Sequence, residues 1–142
     1  MTDRRRILVT SALPYANGAI HLGHMLEHVQ TDIFVRFQRL QGHECIYVCA
    51  DDVHGTAVML NAEAAGLTPL AYAASITEEH IQDFKRFQIS HDCYDTTHSE
   101  DNEQLSGEIY SRLLASGNIE KANVEQLFDT ETGLFLADRF VV

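Results

Sequence analysis

Ile7-Leu8-Val9-Thr10 is a short apolar, β-branched run, and Pro14 and the Asn17-Gly18 pair soon follow it. Those residues break regular structure, so the pattern predicts a strand leading into a loop. From about Ile20 to Leu40 the apolar residues Leu22, Met25, Leu26, Val29, Ile33, Phe37 and Leu40 recur at intervals of three and four, the signature of an amphipathic helix. Gly42 ends that helix, and Glu44-Cys45-Ile46-Tyr47-Val48-Cys49-Ala50 is a near-continuous apolar second strand. A strand of that kind after a strand and a long helix predicts a parallel pair buried on both faces. The unit is a βαβ crossover, expected to be right-handed.

A helix is expected after Asp52, ending at Gly66, which suits a left-handed cap. Thr68-Pro69 then reads as cap and first position of the next helix, which carries Leu70, Ala73, Ala74, Ile76, Ile81 and Phe84. Cys93-Tyr94 predicts a third short strand. Ser99, with Asn102 and Glu103 in the first turn, opens another helix through Leu105, Ile109 and Leu113 to Gly117. The tail changes character: Ile119 to Phe128 and Leu134 to Val142 read as strands around Asp129-Thr130-Glu131-Thr132-Gly133, a hairpin turn signal. A β-hairpin cut off in its second strand predicts that the chain is the front part of a longer protein.

Composition narrows the function classes. In 142 residues, 10 Lys+Arg stand against 21 Asp+Glu, a formal charge of −11, which argues against this chain gripping nucleic acid alone. Apolar residues make up 45%, enough to bury a core, and the length suits one domain or one domain with part of another. No stretch approaches a membrane span, and no apolar run follows Met1 as a signal peptide requires. Three cysteines (Cys45, Cys49, Cys93), none in a Cys-x-x-Cys pair, make a disulfide scaffold and a four-ligand zinc site poor readings, so a cytoplasmic setting is expected.

In open parallel sheets, ligands bind where strand ends pass into helices. Two segments meet that condition: the loop Ser11 to Gly18 leading into His21-Leu22-Gly23-His24, and Asp51-Asp52-Val53-His54-Gly55-Thr56 after the second strand. Adjacent parallel strands bring them side by side, roughly 5 Å apart. His21 and His24 share one face at a helix start, Gly23 between them leaves the backbone approachable, and the helix amides and dipole favour an anion such as phosphate. Two neutral imidazoles there can donate to phosphate oxygens as charge accumulates. The alternatives are a surface pair or a metal pair. Asp51 and Asp52 could hold an amine or a ribose hydroxyl, or cap the next helix. His28 could extend the polar face toward Glu27 and Asp32; Phe34, Phe37, Phe84 and Phe87 read as core, and Cys45 and Cys49 as small core residues on one side of their strand. Walker, dinucleotide-glycine and Gly-x-Ser-x-Gly patterns are absent from the sequence.

Ala12-Leu13-Pro14-Tyr15-Ala16-Asn17-Gly18-Ala19-Ile20-His21-Leu22-Gly23-His24 resembles the first ATP-binding motif of class I aminoacyl-tRNA synthetases, in the form carried by the methionyl-tRNA synthetases. The segment Ala50-Asp51-Asp52-Val53-His54-Gly55-Thr56 fits the same family at the expected distance, and the resemblance runs along essentially the whole chain. It implies an α/β fold: a Rossmann-like parallel sheet with flanking helices, the first half of a class I catalytic domain over residues 1–117. A β-rich connective insertion would begin at 118–142. It further implies ATP-dependent activation of methionine to methionyl-adenylate and transfer to tRNA in a complete enzyme. ATP arrives as its Mg²⁺ complex, and zinc is expected only in a connective domain beyond these residues. Position by position, His21 and His24 would stabilise the transition state. Asn17, Gly18, His21, Gly23 and His24 would bind ATP, while Ala12, Leu13, Tyr15 and Asp52 would bind methionine, Asp52 holding its ammonium.

The chain departs from that family in several respects, since a zinc knuckle, a helical anticodon-binding domain and half of the methionine pocket are expected beyond these residues, and the largest departure is in the catalytic loops. Its only lysines are Lys85 and Lys121, so the second, Lys-Met-Ser-Lys-Ser-type loop is missing from these residues and the isolated chain is expected to be inactive. Two rivals remain open: a non-catalytic module that binds ATP or methionine, and a nucleotidyl transferase with another acceptor, which would share His21 and His24 but not the Leu13/Tyr15/Asp52 pocket.

Overall fold

A computed structural model of the chain describes residues 4–131 and 133–135. Strands β1 (Arg6–Thr10), β2 (Glu44–Asp51) and β3 (Cys93–Thr96) form one parallel sheet in the order β1-β2-β3. Leu8 lies opposite Ile46, Val9 opposite Tyr47 and Val48 opposite Cys93. Helix α1 (Leu22–Leu40) joins β1 to β2, and α2 (Thr56–Ala64) and α3 (Pro69–Arg86) join β2 to β3. This is the Rossmann-like arrangement expected from the sequence.

The ring of His28 on α1 lies 4.2 Å from that of Phe84 on α3, so the two long helices share one face of the sheet. Successive crossovers of one hand, stepping in one direction, put their helices on the same side. That geometry corrects one expectation: β2 is not buried on both faces. Cys45, Tyr47, Cys49 and Asp51 point under the helices and are buried, whereas Leu8 and Ile46, paired on the other face, are 72% and 42% exposed. Val35, Cys45 and Tyr47 form the core, with Ile7, Val9 and Ile89 packed around them.

The period of α1 follows the sequence pattern but its phase does not. Leu22, Leu26, Ile33, Phe37 and Leu40 of the apolar stripe are exposed, and the buried residues are Met25, His28, Asp32, Val35 and Gln38. Hydrogen bonds explain the choice. Asp32 Oδ1 accepts from the Ser90 backbone N–H at 2.7 Å, Gln38 Oε1 accepts from Arg5 at 3.0 Å, and His28 enters a buried cluster described below. A polar face whose every group finds a partner can be buried at little net cost. Phe34, Phe37 and Phe87 are correspondingly exposed rather than core; Phe84 alone of that group is buried.

Thr68 caps α3 as expected, its side chain accepting from Ala71 N at 3.2 Å with Pro69 at the first position, and Gly66 takes a left-handed φ of 68°. Helix α4 (Glu100–Ala115) has no buried residue. Beyond it, the predicted strand from Ile119 is irregular up to Leu127, and among the described residues of this tail pairing is confined to β4 (Phe128–Asp129) and β5 (Leu134–Phe135), antiparallel around the expected turn. The remainder of the predicted last strand, 136–142, lies outside the described residues. The chain divides into two compact units, Met1–Ser99 and Glu100–Val142. Among the described residues no helix is long and apolar enough to cross a membrane.

Candidate active site

After β1 the chain does not simply leave the sheet. Ala16 N donates to Asp52 O at 2.8 Å and Asp52 N to Pro14 O at 2.8 Å, so Tyr15 and Asp52 form a parallel bridge beyond the ends of β1 and β2. The two segments singled out from the sequence are therefore fastened to each other by backbone bonds. Asp51 faces the helices and is fully buried, while Asp52, one residue on, points the other way and is exposed. Neither caps α2. Its N-cap is Gly55, which offers no side chain and has a φ of 119°. The expected capping role is thus not filled by either aspartate, and Asp52 keeps an accessible carboxylate. Gly55 is held to glycine twice over, by that backbone conformation and by the Tyr15 hydroxyl, which would lie 2.6 Å from an added Cβ.

His21 is the N-cap of α1. Its Nδ1 accepts from the backbone N–H groups of Gly23 at 3.1 Å and His24 at 3.3 Å. Two of the helix amides that the sequence reading left free for an anion are therefore occupied by this imidazole. Because Nδ1 is an acceptor, the proton of the neutral ring sits on Nε2, which leaves that N–H to donate elsewhere. The His24 ring stacks on that of His21, with centroids 3.6 Å apart and planes 15° from parallel. Partial burial, and next the neighbouring His21, lower the pKa of His24, so the ring is neutral at pH 7. Its Nδ1 is buried without a partner among the described residues. Gly23 has a local reason here: a Cβ would come within 3.0 Å of the His21 ring.

The loop between Tyr15 and His21 is gripped from outside. Asn17 O accepts from Asn61 of α2 at 2.6 Å and from Tyr72 of α3 at 3.2 Å, and Gly18 O lies 2.8 Å from His80 Nε2. Asn17 is exposed and Gly18 half-buried; Ala12 and Leu13 are exposed, with Glu27 accepting from Ala12 N at 2.6 Å. Each sequence-predicted site residue thus lies in the Ala12–His24 loop and helix start or, as Asp52, paired with it.

Sequence reasoning missed two groups. The first is a buried polar cluster: His28 Nδ1 lies 3.2 Å from Tyr47 OH, 3.3 Å from Ser11 Oγ and 3.3 Å from His91 Nε2. His28 therefore turns inward, away from the polar face and the Glu27 and Asp32 partners expected for it. Burial pushes both His28 and His91 down to about 4. His28, Cys49 and His91 place their possible ligand atoms within 4.8 Å of one another, and the hydrogen bonds just described already account for the two imidazoles. The second group is His80, which signalled itself only by standing on the same α3 stripe as Ala73 and Phe84, where a polar residue must be paired.

Comparison with known proteins adds the following. The family described as tRNA synthetases class I (M) matches residues 7–142. The methionine–tRNA ligase of Dichelobacter nodosus is 61% identical over 137 residues, covering 96% of this chain and 20% of that protein. Two solved structures of Mycobacterium tuberculosis methionyl-tRNA synthetase, each with methionyl-adenylate, superpose with a TM-score of 0.83 at 28% identity, over 96% of this chain and 27% of theirs. The chain thus spans about a fifth of the length of the curated relative.

Proposed function

The chain belongs to the class I (M) tRNA synthetase family, and from that premise we propose that it supplies the first half of a catalytic site that joins methionine to ATP. The product is methionyl-adenylate, whose methionine then passes to tRNA in the complete protein. The observation that carries this reading is the Tyr15–Asp52 bridge, which seats an exposed carboxylate beside the loop that runs into His21 and His24. Asp52 holds the methionine ammonium, with Ala12, Leu13 and Tyr15 along one wall of the side-chain pocket. Asn17, Gly18 and Gly23 leave room for the nucleotide.

The chemistry is an in-line displacement. The methionine carboxylate oxygen attacks the α-phosphorus, the bond to the bridging oxygen breaks, and pyrophosphate leaves with Mg²⁺, which enters as part of the ATP substrate. The imidazoles of His21 and His24 act as neutral donors to phosphate oxygens, strongest as charge builds in the transition state. Positioning supplies much of the remainder. Within this reading residues 1–117 are the first half of the catalytic domain and 118–142 open a connective insertion, and the protein works in the cytoplasm. These 142 residues carry no lysine-rich second loop; their lysines are Lys85 and Lys121.

The test is methionine-dependent ATP–pyrophosphate exchange. The complete protein exchanges, the isolated 142-residue chain does not, and Asp52→Asn raises KM for methionine by ~10-fold or more through loss of a charge-assisted bond. A non-catalytic module would bind ATP or methionine with no exchange in either form. A transferase for another acceptor would release pyrophosphate only with a different carboxylate or phosphate substrate.

A further inference from the structure

His80 is fully buried in the middle of α3, and both of its ring nitrogens face acceptors. Nδ1 lies 2.8 Å from the carboxylate oxygen Oδ1 of Asp51, and Nε2 lies 2.8 Å from the carbonyl of Gly18. A carboxylate and a carbonyl only accept, so the ring satisfies both only by donating from both nitrogens, as the imidazolium. Asp51 is fully buried too, and its Oδ1 also accepts from Tyr94 OH of β3 at 2.5 Å. The other charged or titratable groups around the ring are Glu79 on its own helix and His24 and His28 on α1. Burial opposes the cation, but the bonds to Asp51 and Gly18 outweigh it and the pKa is raised.

One side chain thereby ties three parts of the site together: the end of β2 that carries Asp52, helix α3, and the loop carbonyl three residues before His21. Asn61 and Tyr72 hold the preceding carbonyl, but both of those bonds are exposed to water, whereas His80 is sealed from it. An interaction removed from solvent is the stronger constraint.

We propose that His80 is a positioning residue for adenylation: bridging Asp51 and the Gly18 carbonyl, it fixes the loop that sets His21 and His24 against the ATP phosphates. The proposal rests on the functional reading given above. His80 reaches the reaction only through Gly18 and does not touch the reacting atoms.

His80→Ala would leave a buried carboxylate without its cation and is expected to disrupt folding. The test therefore uses two amides in one neutralised background, Asp51→Asn/His80→Gln and Asp51→Asn/His80→Asn. The glutamine nitrogen falls near Nε2 and can still donate to Gly18 O, whereas the asparagine nitrogen falls near Nδ1 and cannot. In the complete protein the asparagine pair lowers kcat for exchange by ~10²-fold relative to the glutamine pair, with KM for methionine little changed, as expected for a misplaced catalytic loop. Exchange of the Ala16 and Asn17 backbone amides with solvent deuterium is faster by ~10-fold in the asparagine pair, because the loop opens more readily. Equal behaviour of the two pairs, in rate and in amide exchange, would overturn the proposal. Wild-type protein that shows no methionine-dependent exchange contradicts the functional reading instead, and amide exchange then decides the positioning claim by itself.

Discussion

On the function proposed above, replacing His24 with alanine in the complete protein is expected to lower the rate of methionyl-adenylate formation by ~10²–10³-fold and to leave the fold as stable as before, the effect of losing one donor to a transition-state oxyanion. The two halves of that expectation come from different observations. The rate loss follows because a neutral imidazole at a helix start donates most strongly when negative charge has moved onto the phosphate oxygens, so kcat falls more than ATP affinity. Stability is spared because His24 Nδ1 is buried with no partner among the described residues, so truncation removes an unsatisfied atom and leaves no described group unpaired. His21→Ala differs in a useful way. It costs a similar factor in rate and also strips α1 of its cap, whose loss is worth about 1 kcal/mol. Rapid-quench measurement of pyrophosphate release, with thermal unfolding of each variant, separates the two. Equal stability losses in both variants, or an unchanged rate in either, would contradict the assignment.

Acid should loosen the fold well before its carboxylates titrate. His28 is fully buried and held neutral, with its pKa pushed down by desolvation to about 4, and His91, whose Nε2 lies 3.3 Å from it, is pushed to about 4 as well. An unfolded histidine takes up its proton near pH 6.5. Between pH 6.5 and 4 the unfolded chain therefore binds more protons, so the stabilisation is complete above pH 6.5 and is lost progressively as pH falls toward 4. For His28 alone the loss is on the order of 3 kcal/mol by pH 4, a large part of the margin of a small domain. His80 works with the opposite sign: its raised pKa makes a contribution that is present at low pH and is lost as pH rises through that value, which offsets part of the decline. Asp32 does not interfere, because although burial opposes its ionisation, hydrogen bonds from Ser90 and Arg36 hold its pKa below the usual carboxylate value. Urea unfolding at pH 7.5, 6.0, 5.0 and 4.5 reads the effect, and His28→Asn removes about half of the slope, leaving the part that His91 contributes. A midpoint that stays constant over that range, or falls as steeply in the variant, would refute it.

The sequence carried the parts of this architecture that depend on local signals. Strand, loop, helix and strand from Ile7 to Ala50 follow from periodicity and from Pro14 and Gly42, and Thr68-Pro69 marks the start of α3 by its chemistry. The juxtaposition of the Tyr15 and Asp52 segments follows from parallel pairing. What stayed illegible was settled by partners distant in the chain. The stripe of α1 points Leu26, Ile33 and Phe37 to solvent because Ser90 and Arg5, 58 and 33 residues from their respective partners Asp32 and Gln38, complete the other face. Composition cannot announce that a helix will bury histidine, aspartate and glutamine. Likewise, a lone histidine in α3 gives no hint of Gly18, 62 residues earlier. Ile119 to Leu127 failed for a different reason: β-favouring residues have no pairing partner there among the described residues, and strand propensity without a neighbour does not make a strand.

A crystal structure of the complete protein with a non-hydrolysable methionyl-adenylate analogue tests the central claim most directly. The account predicts the ligand across the Tyr15–Asp52 bridge, with its ammonium on the Asp52 carboxylate and its phosphate-mimicking group within hydrogen-bond reach of His21 Nε2 and the His24 ring. An analogue bound with its ammonium away from Asp52, or with its phosphate mimic beyond reach of both imidazoles, would contradict it.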